Sequence, residues 1–342
     1  MADDVHLTIT KPRASIDDLV YPWPLEVNQH LGYAESQARR WVINYGLFET
    51  ETDRSPYDKV DLGRLCAYAY PYANRDRLAL ITELMWWIFR EDDIYDDPHA
   101  TKEHPDRLAG RFERYLEILR RREAPRNANP AERSFGDVVE RLDDLTSTGW
   151  MTRFTETMRR FWIEGCVNET LYRSSGIVPD PGSYMAMRVQ SVGAYPFCDL
   201  IEVAYEFELS RKVRENSIFR RMCWLAVRAI AYVNDIFSYE KERRVGDVSN
   251  YLHVKRYYDH IDVLDAVDVT IRAHNIEIQQ FCQLEELMPD FGEEENLKVA
   301  FYIAAVKTWL AGALEWQRVS GRYESCRAYL ESGATEPVHS PF

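Results

Sequence analysis

The chain has 342 residues, room for one large domain or two of ordinary size, and 46% of them are hydrophobic, which excludes disorder for its bulk. A net charge of −14 argues against a general nucleic-acid surface, which would carry a basic patch. Six cysteines, at 66, 166, 198, 223, 282 and 326, form no C-x-x-C pair, so reduced and mostly buried thiols of a cytoplasmic protein are expected.

In chain order, residues 1–20 read as a polar, proline-containing arm without the apolar core of a signal peptide. Beyond it, apolar residues recur at helical period with few strand signals. The pattern predicts helices over 31–46, 60–70, 74–97, 105–122, 132–145, 150–174, 182–195, 197–209, 213–244, 255–287 and 294–328. The breaks carry local punctuation: Pro98, Pro125 with Pro130, the Val178-Pro-Asp-Pro-Gly182 loop, Gly246, and Pro289 with Gly292. Residues 331–342 read as a poorly ordered tail. No composition shift, long linker or internal repeat divides residues 21–330, so one all-α domain built around a cavity is the expected architecture. The apolar run Leu78 to Phe89 is interrupted by Thr82 and Glu83 and is too short to span a bilayer, so a soluble protein is expected.

Two polar motifs stand out against these apolar helices. The first, Asp92-Asp93-Ile94-Tyr95-Asp96-Asp97, continues directly from Leu78–Phe89, and Asp92 and Asp96 share a helix face. Met85, Ile88 and Phe89 lie one or two turns below Asp92 on its side. An acidic run usually marks a solvated face. Carboxylates at the rim of an apolar face are costly unless something pairs with them, and a metal ion is a good partner. The second motif, Asn234-Asp235-Ile236-Phe237-Ser238-Tyr239-Glu240-Lys241-Glu242, follows the apolar run Trp224 to Val233. Asn234, Ser238 and Glu242 recur at i, i+4 and i+8 and form a stripe of oxygen ligands, with Val227, Ile230 and Ala231 stacked beneath it. A helix N-cap is the competing reading of such a motif, but caps belong at helix starts. Two oxygen-rich patches suit hard divalent cations, and Mg²⁺ in particular favours carboxylates combined with substrate phosphates.

These residues resemble the class I terpene synthases of bacteria and fungi, whose signatures are DDxx(D/E) and NDxxSxxxE. Asp92, Asp93 and Asp96 match the first; Asn234, Ser238 and Glu242 match the second, with Asp235, Ile236 and Lys241 filling its intervening positions. Arg188 stands 46 residues before Asn234, where the family carries a diphosphate-sensing arginine, and Arg322-Tyr323 begins 80 residues past Glu242, where it carries an Arg-Tyr pair. Arg188 sits in Tyr184-Met-Ala-Met-Arg-Val-Gln-Ser-Val-Gly193, in which Ser191 and Val192 hold the family's linker and effector positions. A small glycine is frequent at the effector, so Val192 departs from the pattern.

The resemblance implies an all-α, single-domain class I terpenoid synthase bundle around a central apolar cavity, with residues 21–330 as the catalytic domain. It implies three Mg²⁺ ions, two held through Asp92 with Asp96 assisting and one through Asn234, Ser238 and Glu242. The substrate would be a prenyl diphosphate, with farnesyl diphosphate favoured, and Arg188, Lys241, Arg322 and Tyr323 would grip its diphosphate. Phe89 and Trp316 are the candidate aromatic walls. The implied reaction is ionisation and cyclisation to a cyclic sesquiterpene hydrocarbon or alcohol; a homodimer is compatible with this reading. A prenyl-chain-elongating enzyme would share the first motif but needs a second aspartate-rich one in place of Asn234-Ser238-Glu242. A proton-initiated cyclase needs a D-x-D-D acid, which the chain lacks. A diterpene synthase acting on geranylgeranyl diphosphate and a non-catalytic all-α scaffold are the remaining alternatives.

Overall fold

Helix-period patterning is realised throughout: among the described residues every regular element is helical and no strand occurs. The computed structural model describes residues 13–19, 21–48, 50–96 and 105–332, with the side chains of Tyr95 and Asp96 outside that set. Most of the polar arm, Pro98 and most of the predicted tail therefore lie outside the described residues. The chain runs through α1 (Leu31–Asn44), α2 (Glu51–Val60), α3 (Leu62–Ala69), α4 (Arg75–Asp96), α5 (Pro105–Arg121), α6 (Pro130–Leu145) and α7 (Thr148–Arg159). A π-helical segment, Arg160–Val167, passes without interruption into α8 (Asn168–Ser175). There follow α9 (Pro181–Ser191), α10 (Ala194–Tyr205), α11 (Arg211–Arg214), α12 (Ser217–Arg244), α13 (Tyr251–Asp259), α14 (Val263–Glu286), α15 (Glu293–Val319) and, after a 3₁₀ turn at Gly321–Tyr323, α16 (Glu324–Glu331).

The helices expected over 182–195 and 213–244 are interrupted at Val192-Gly193 and at Glu215-Asn216, and three further readings are corrected. Helix α2 is absent from the sequence reading because it is mostly polar and contains Pro56; the Thr50 capping box with Asp53 starts it. The single helix expected over 255–287 is two. His260 adopts a left-handed conformation (φ 55°), and Asp262 then caps α14 by accepting from the Asp265 amide at 2.8 Å. The helix expected over 294–328 breaks at Ser320-Gly321, where a β-carbon on Gly321 would lie 2.9 Å from Lys59 Cβ and 3.0 Å from its carbonyl oxygen. All three corrections concern helix ends, which depend on single capping residues and tertiary contacts.

The core forms around α4 and α12. On α4 the adjacent Trp86 and Trp87 are both fully buried: Trp86 stacks on Tyr57, while Trp87 stacks on Phe135 at 4.4 Å and donates its indole N–H to the Ala131 carbonyl. Helix α12 packs along α14, α4 along α1, and α15 along α3. By length and composition Glu293–Val319 could cross a membrane, but 61% of its apolar window is buried among neighbouring helices, as a core helix requires.

The segment before α1 straps across α14 and the end of α15. The Ala14 amide donates to Asp268 at 2.6 Å, Arg318 donates to the Leu19 carbonyl at 2.7 Å, and Trp23 packs edge-on against Phe281. At its centre His274 is buried between Tyr21 and Asn275. The Asn275 amide N–H₂ donates to the Asp18 carbonyl, so its oxygen faces His274 Nδ1, which donates; Nε2 then accepts from the Tyr21 hydroxyl at 2.9 Å. Burial pushes the imidazole down to about 4, with the Asn275 hydrogen bond opposing it only partly. The folded protein thus refuses a proton that the unfolded chain takes up near pH 6.5, and stability is lost as the pH falls from there toward 4. Urea titrations across this window should show a loss of about 3 kcal/mol that is absent in His274→Gln.

Candidate active site

The two oxygen-bearing stripes meet at one end of the bundle. One cavity is lined by Asp92 at the end of α4, by Asn234, Ser238, Lys241 and Glu242 of α12, by Arg188 and Ser191 of α9, and by Arg322 and Tyr323 after α15. Four segments distant in sequence thereby deliver their polar residues to one place.

The Arg322-Tyr323 pair joins the stripes physically. Arg322 lies 2.9 Å from Asp93 Oδ1 and donates to Asp92 Oδ2 at 3.3 Å, while the Tyr323 hydroxyl accepts from the Asn234 amide at 3.1 Å. Lys241 reaches toward Asp93 at 3.8 Å. Burial works against an ionised Asp93, but the cations Arg322 and Lys241 outweigh it, with help from the Tyr57 hydroxyl, and hold this carboxyl below its ordinary range. The Arg322 guanidinium also lies over the Phe89 ring, 5.2 Å from its centroid.

Arg188 is buried and held from three sides. Its Nε donates to Asp235 Oδ1 at 2.8 Å, Nη2 to Asn234 Oδ1 at 2.5 Å and Nη1 to Ser191 Oγ at 3.3 Å. Asp235 in turn accepts from the Tyr184 hydroxyl at 2.7 Å and the Tyr251 amide at 3.0 Å. This fully buried carboxylate thus accepts three hydrogen bonds, one of them from a guanidinium, as a buried charge requires. Burial disfavours the charged guanidinium, yet the Asp235 carboxylate overcomes it and raises the Arg188 pKa well above normal.

The Asn234-Ser238-Glu242 stripe ends where α12 ends. Gly246 (φ 70°) closes the helix: its amide donates to the Arg243 carbonyl and the Asp247 amide to the Glu242 carbonyl, both at 3.0 Å, which is a Schellman motif. Glu242 accepts a 2.7 Å hydrogen bond from the Asn250 amide. Burial pushes its carboxyl up to about 8, and Asp247 and Asp235 nearby add to the effect. An oxygen stripe whose last member has no cation in ion-pair contact among the described residues fits a hard cation. Among the described residues no three His, Cys, Asp or Glu side chains gather as a self-sufficient cage. Asn234, Ser238 and Glu242 would therefore share such an ion with substrate phosphate and water, which is how Mg²⁺ is commonly held.

Helices α9 and α10 are separated at Val192-Gly193, where Gly193 is left-handed (φ 72°). The break is buttressed by the π-helical segment, a device common at functional sites. A β-carbon on Gly165 would lie 2.6 Å from the Ser191 amide nitrogen and 2.7 Å from its Cα, so only glycine lets the two backbones approach.

Of the residues singled out in the sequence, Phe89, Asp92, Arg188, Ser191, Val192, Asn234, Ser238, Lys241, Glu242, Arg322 and Tyr323 all border the cavity. The side chain of Asp96 lies outside the described residues. Trp316 is not among the cavity-lining residues and packs against two that are. Its indole N–H is taken by the Val60 and Asp61 carbonyls at 2.8 and 3.1 Å, and its ring packs edge-on against both Phe89 and Tyr323. Sequence reading missed the lining residues Ile88 as wall, Phe161, Glu169, Arg173 and Phe197, and had Gly193 only as the end of the Arg188 segment. It also missed Asp235, Tyr184 and Asn250 as holders of the site. Of these Asp235, Ile88 and Tyr184 had a signal, by adjacency to the residues already singled out.

An all-α bundle with an acidic pair, an Asn-Ser-Glu stripe and an Arg-Tyr pair around one cavity is a class I terpene cyclase, and the comparisons agree. Residues 83–280, more than half of the chain, match terpene synthase family 2, C-terminal metal binding, and the chain belongs to that family. It is similar to germacrene A synthase of Nostoc punctiforme, at 29% identity over 90% of this chain and 94% of that protein. It is also similar to a (+)-T-muurolol synthase of Roseiflexus castenholzii, described as cyclising (2E,6E)-farnesyl diphosphate, at 27% identity over 89% and 93% of the two chains. Among solved structures, a-eudesmol synthase superposes with a TM-score of 0.79 at 26% identity, covering 88% of this chain and 99% of that one.

The Gly165 contact gives a direct test of the helix break. Gly165→Ala should destabilise the fold by about 1–3 kcal/mol in thermal melts, because backbone must shift rather than a side-chain tip. Diphosphate release assayed below the melting temperature should fall as well, since the displaced atoms belong to Ser191 at the cavity wall.

Proposed function

We propose that this terpene cyclase ionises farnesyl diphosphate in the presence of Mg²⁺, cyclises the resulting cation and releases diphosphate, acting in the cytoplasm. The observation that carries the reading is the Arg322-Tyr323 bridge, which sets Asp92 and Asp93 against Asn234 across one cavity that Arg188 and Lys241 also reach. Mg²⁺, three ions by resemblance, would be held by Asp92 and by Asn234, Ser238 and Glu242, and would stabilise charge on the departing diphosphate.

The chain's own residues perform the remaining tasks. Arg188 and Arg322 present planar forks of donors that match phosphate oxygens, Lys241 adds a mobile ammonium, and Tyr323 adds a hydroxyl. These donors are directed at the negative charge that develops as the allylic C–O bond breaks. Ile88, Phe89, Phe161, Val192 and Phe197 supply an apolar surface beside the polar end, where the prenyl chain folds and water is excluded. The aromatic faces of Phe89, Phe161 and Phe197 can stabilise cationic carbon. The names of the germacrene A and (+)-T-muurolol synthases support a fifteen-carbon substrate.

Incubation with Mg²⁺ and geranyl, farnesyl or geranylgeranyl diphosphate, followed by gas chromatography with mass detection, should give a cyclic fifteen-carbon hydrocarbon or alcohol from the farnesyl substrate. A terpene from the twenty-carbon substrate alone would overturn the chain length while leaving the reaction class. Asp92→Ala, Asn234→Ala and Arg188→Ala should each lower turnover by at least about 10²–10³-fold while the helical circular-dichroism signal persists. Collapse of that signal would instead assign these residues a structural role.

A further inference from the structure

The ligand stripe is finished by a residue outside its motif. Asn250 is 1% exposed and caps α13, its Oδ1 accepting the Leu252 amide at 2.9 Å. With the oxygen committed to the helix start, the amide N–H₂ can point only the other way. There it donates to the Asp235 carbonyl at 2.8 Å and to Glu242 Oε2 at 2.7 Å, and it lies 3.5 Å from Ser238 Oγ. One side chain thus ties the last stripe residue, Glu242, to the backbone of Asp235 two turns earlier on α12, with Ser238 beside it.

The loop that delivers Asn250 is itself pinned. Asp247 Oδ1 accepts the Ser249 amide at 2.8 Å, and Asp247 Oδ2 accepts Arg173 Nε at 2.7 Å, with both side chains of that ion pair 5% exposed. Gly246 turns the chain out of α12 in the left-handed conformation the loop needs.

We propose that Asn250 is a positioning residue for the metal-binding stripe, fixing the rotamer of Glu242 from behind while leaving its other oxygen lone pairs to the ion. The inference rests on the reading of Asn234, Ser238 and Glu242 as metal ligands. Donors behind a metal ligand commonly change affinity by about 10–100-fold when removed. A purely architectural Asn250 would act through the cap of α13 alone, and caps can be kept while the donor is lost.

Asn250→Asp and Asn250→Ser separate the two roles, because Asp and Ser are both good N-caps. Neither can donate to Glu242 as the amide does; Ser is too short and neutral, and Asp presents an acceptor. Titration of Mg²⁺ with inorganic diphosphate by isothermal calorimetry should show about 10–100-fold weaker binding in both variants. The metal-free melting temperature of Asn250→Ser should fall less than that of Asn250→Asp, whose buried carboxylate faces Glu242 and the Asp235 carbonyl. The Mg²⁺ concentration giving half-maximal turnover should rise in parallel. Parent-like or tighter Mg²⁺ affinity in both variants, with weaker binding in Glu242→Gln, overturns the proposal alone. Unchanged affinity in Glu242→Gln as well removes the metal reading and the proposal together. A lowered melting temperature in Asn250→Ala with unaltered Mg²⁺ affinity assigns Asn250 to the cap and likewise overturns it.

Discussion

Carboxylates gathered at the mouth of an apolar helical bundle repel one another, and much of the architecture here answers that repulsion. Asp92 and Asp93 face Arg322, with Lys241 beside them; Asp235 faces Arg188; Asp247 faces Arg173. Each pairing joins segments far apart in the chain, so the charges that would drive the helix ends apart instead stitch them together. Glu242 is different: among the described residues its hydrogen-bond partner is the Asn250 amide rather than a cation. The stripe therefore keeps one carboxyl that no cation contacts directly among the described residues, beside the neutral oxygens of Asn234 and Ser238.

The same arrangement explains why the stripes differ. A second fully acidic motif would add carboxylates to an end already crowded by Asp92, Asp93, Asp235 and Asp247. Asn234 and Ser238 supply oxygen without adding charge, and Asn234 does more than bind. Its Oδ1 accepts from Arg188 and its Nδ2 donates to Tyr323, so one amide ties the arginine of α9 to the tyrosine that follows α15. An aspartate there could accept from Arg188 but could not donate to the phenol.

Much of this was legible in the sequence. Helical period gave the all-α architecture, and i, i+4, i+8 spacing placed Asn234, Ser238 and Glu242 on one face because that geometry is local. The spaced Arg188 and Arg322-Tyr323 could be named by resemblance, and all three border the cavity. What stayed hidden depends on contacts between distant segments. Nothing around Arg173 announces Asp247 as its partner, and Asn250 looks like an ordinary cap until α13 is folded back against α12. Trp316 shows the same limit. Its spacing put it on the correct side of α15, but the carbonyls of Val60 and Asp61 claim its N–H, and its ring packs against two lining residues. Helix α2 was missed for a related reason: its stability comes from a capping box and packing rather than from periodicity.

Phe89 occupies a position with two masters. Its ring is part of the apolar surface, and the same ring lies under the Arg322 guanidinium and against Trp316, which in turn touches Tyr323. Reshaping the wall at this position also removes the π-face on which the Arg322 guanidinium rests. Selection for new ring skeletons should therefore find position 89 a poor place to experiment, tolerating aromatic exchanges and little else. Wall residues outside this Arg322–Trp316–Tyr323 cluster, such as Phe161 and Phe197, leave product diversity a freer route through sequence space.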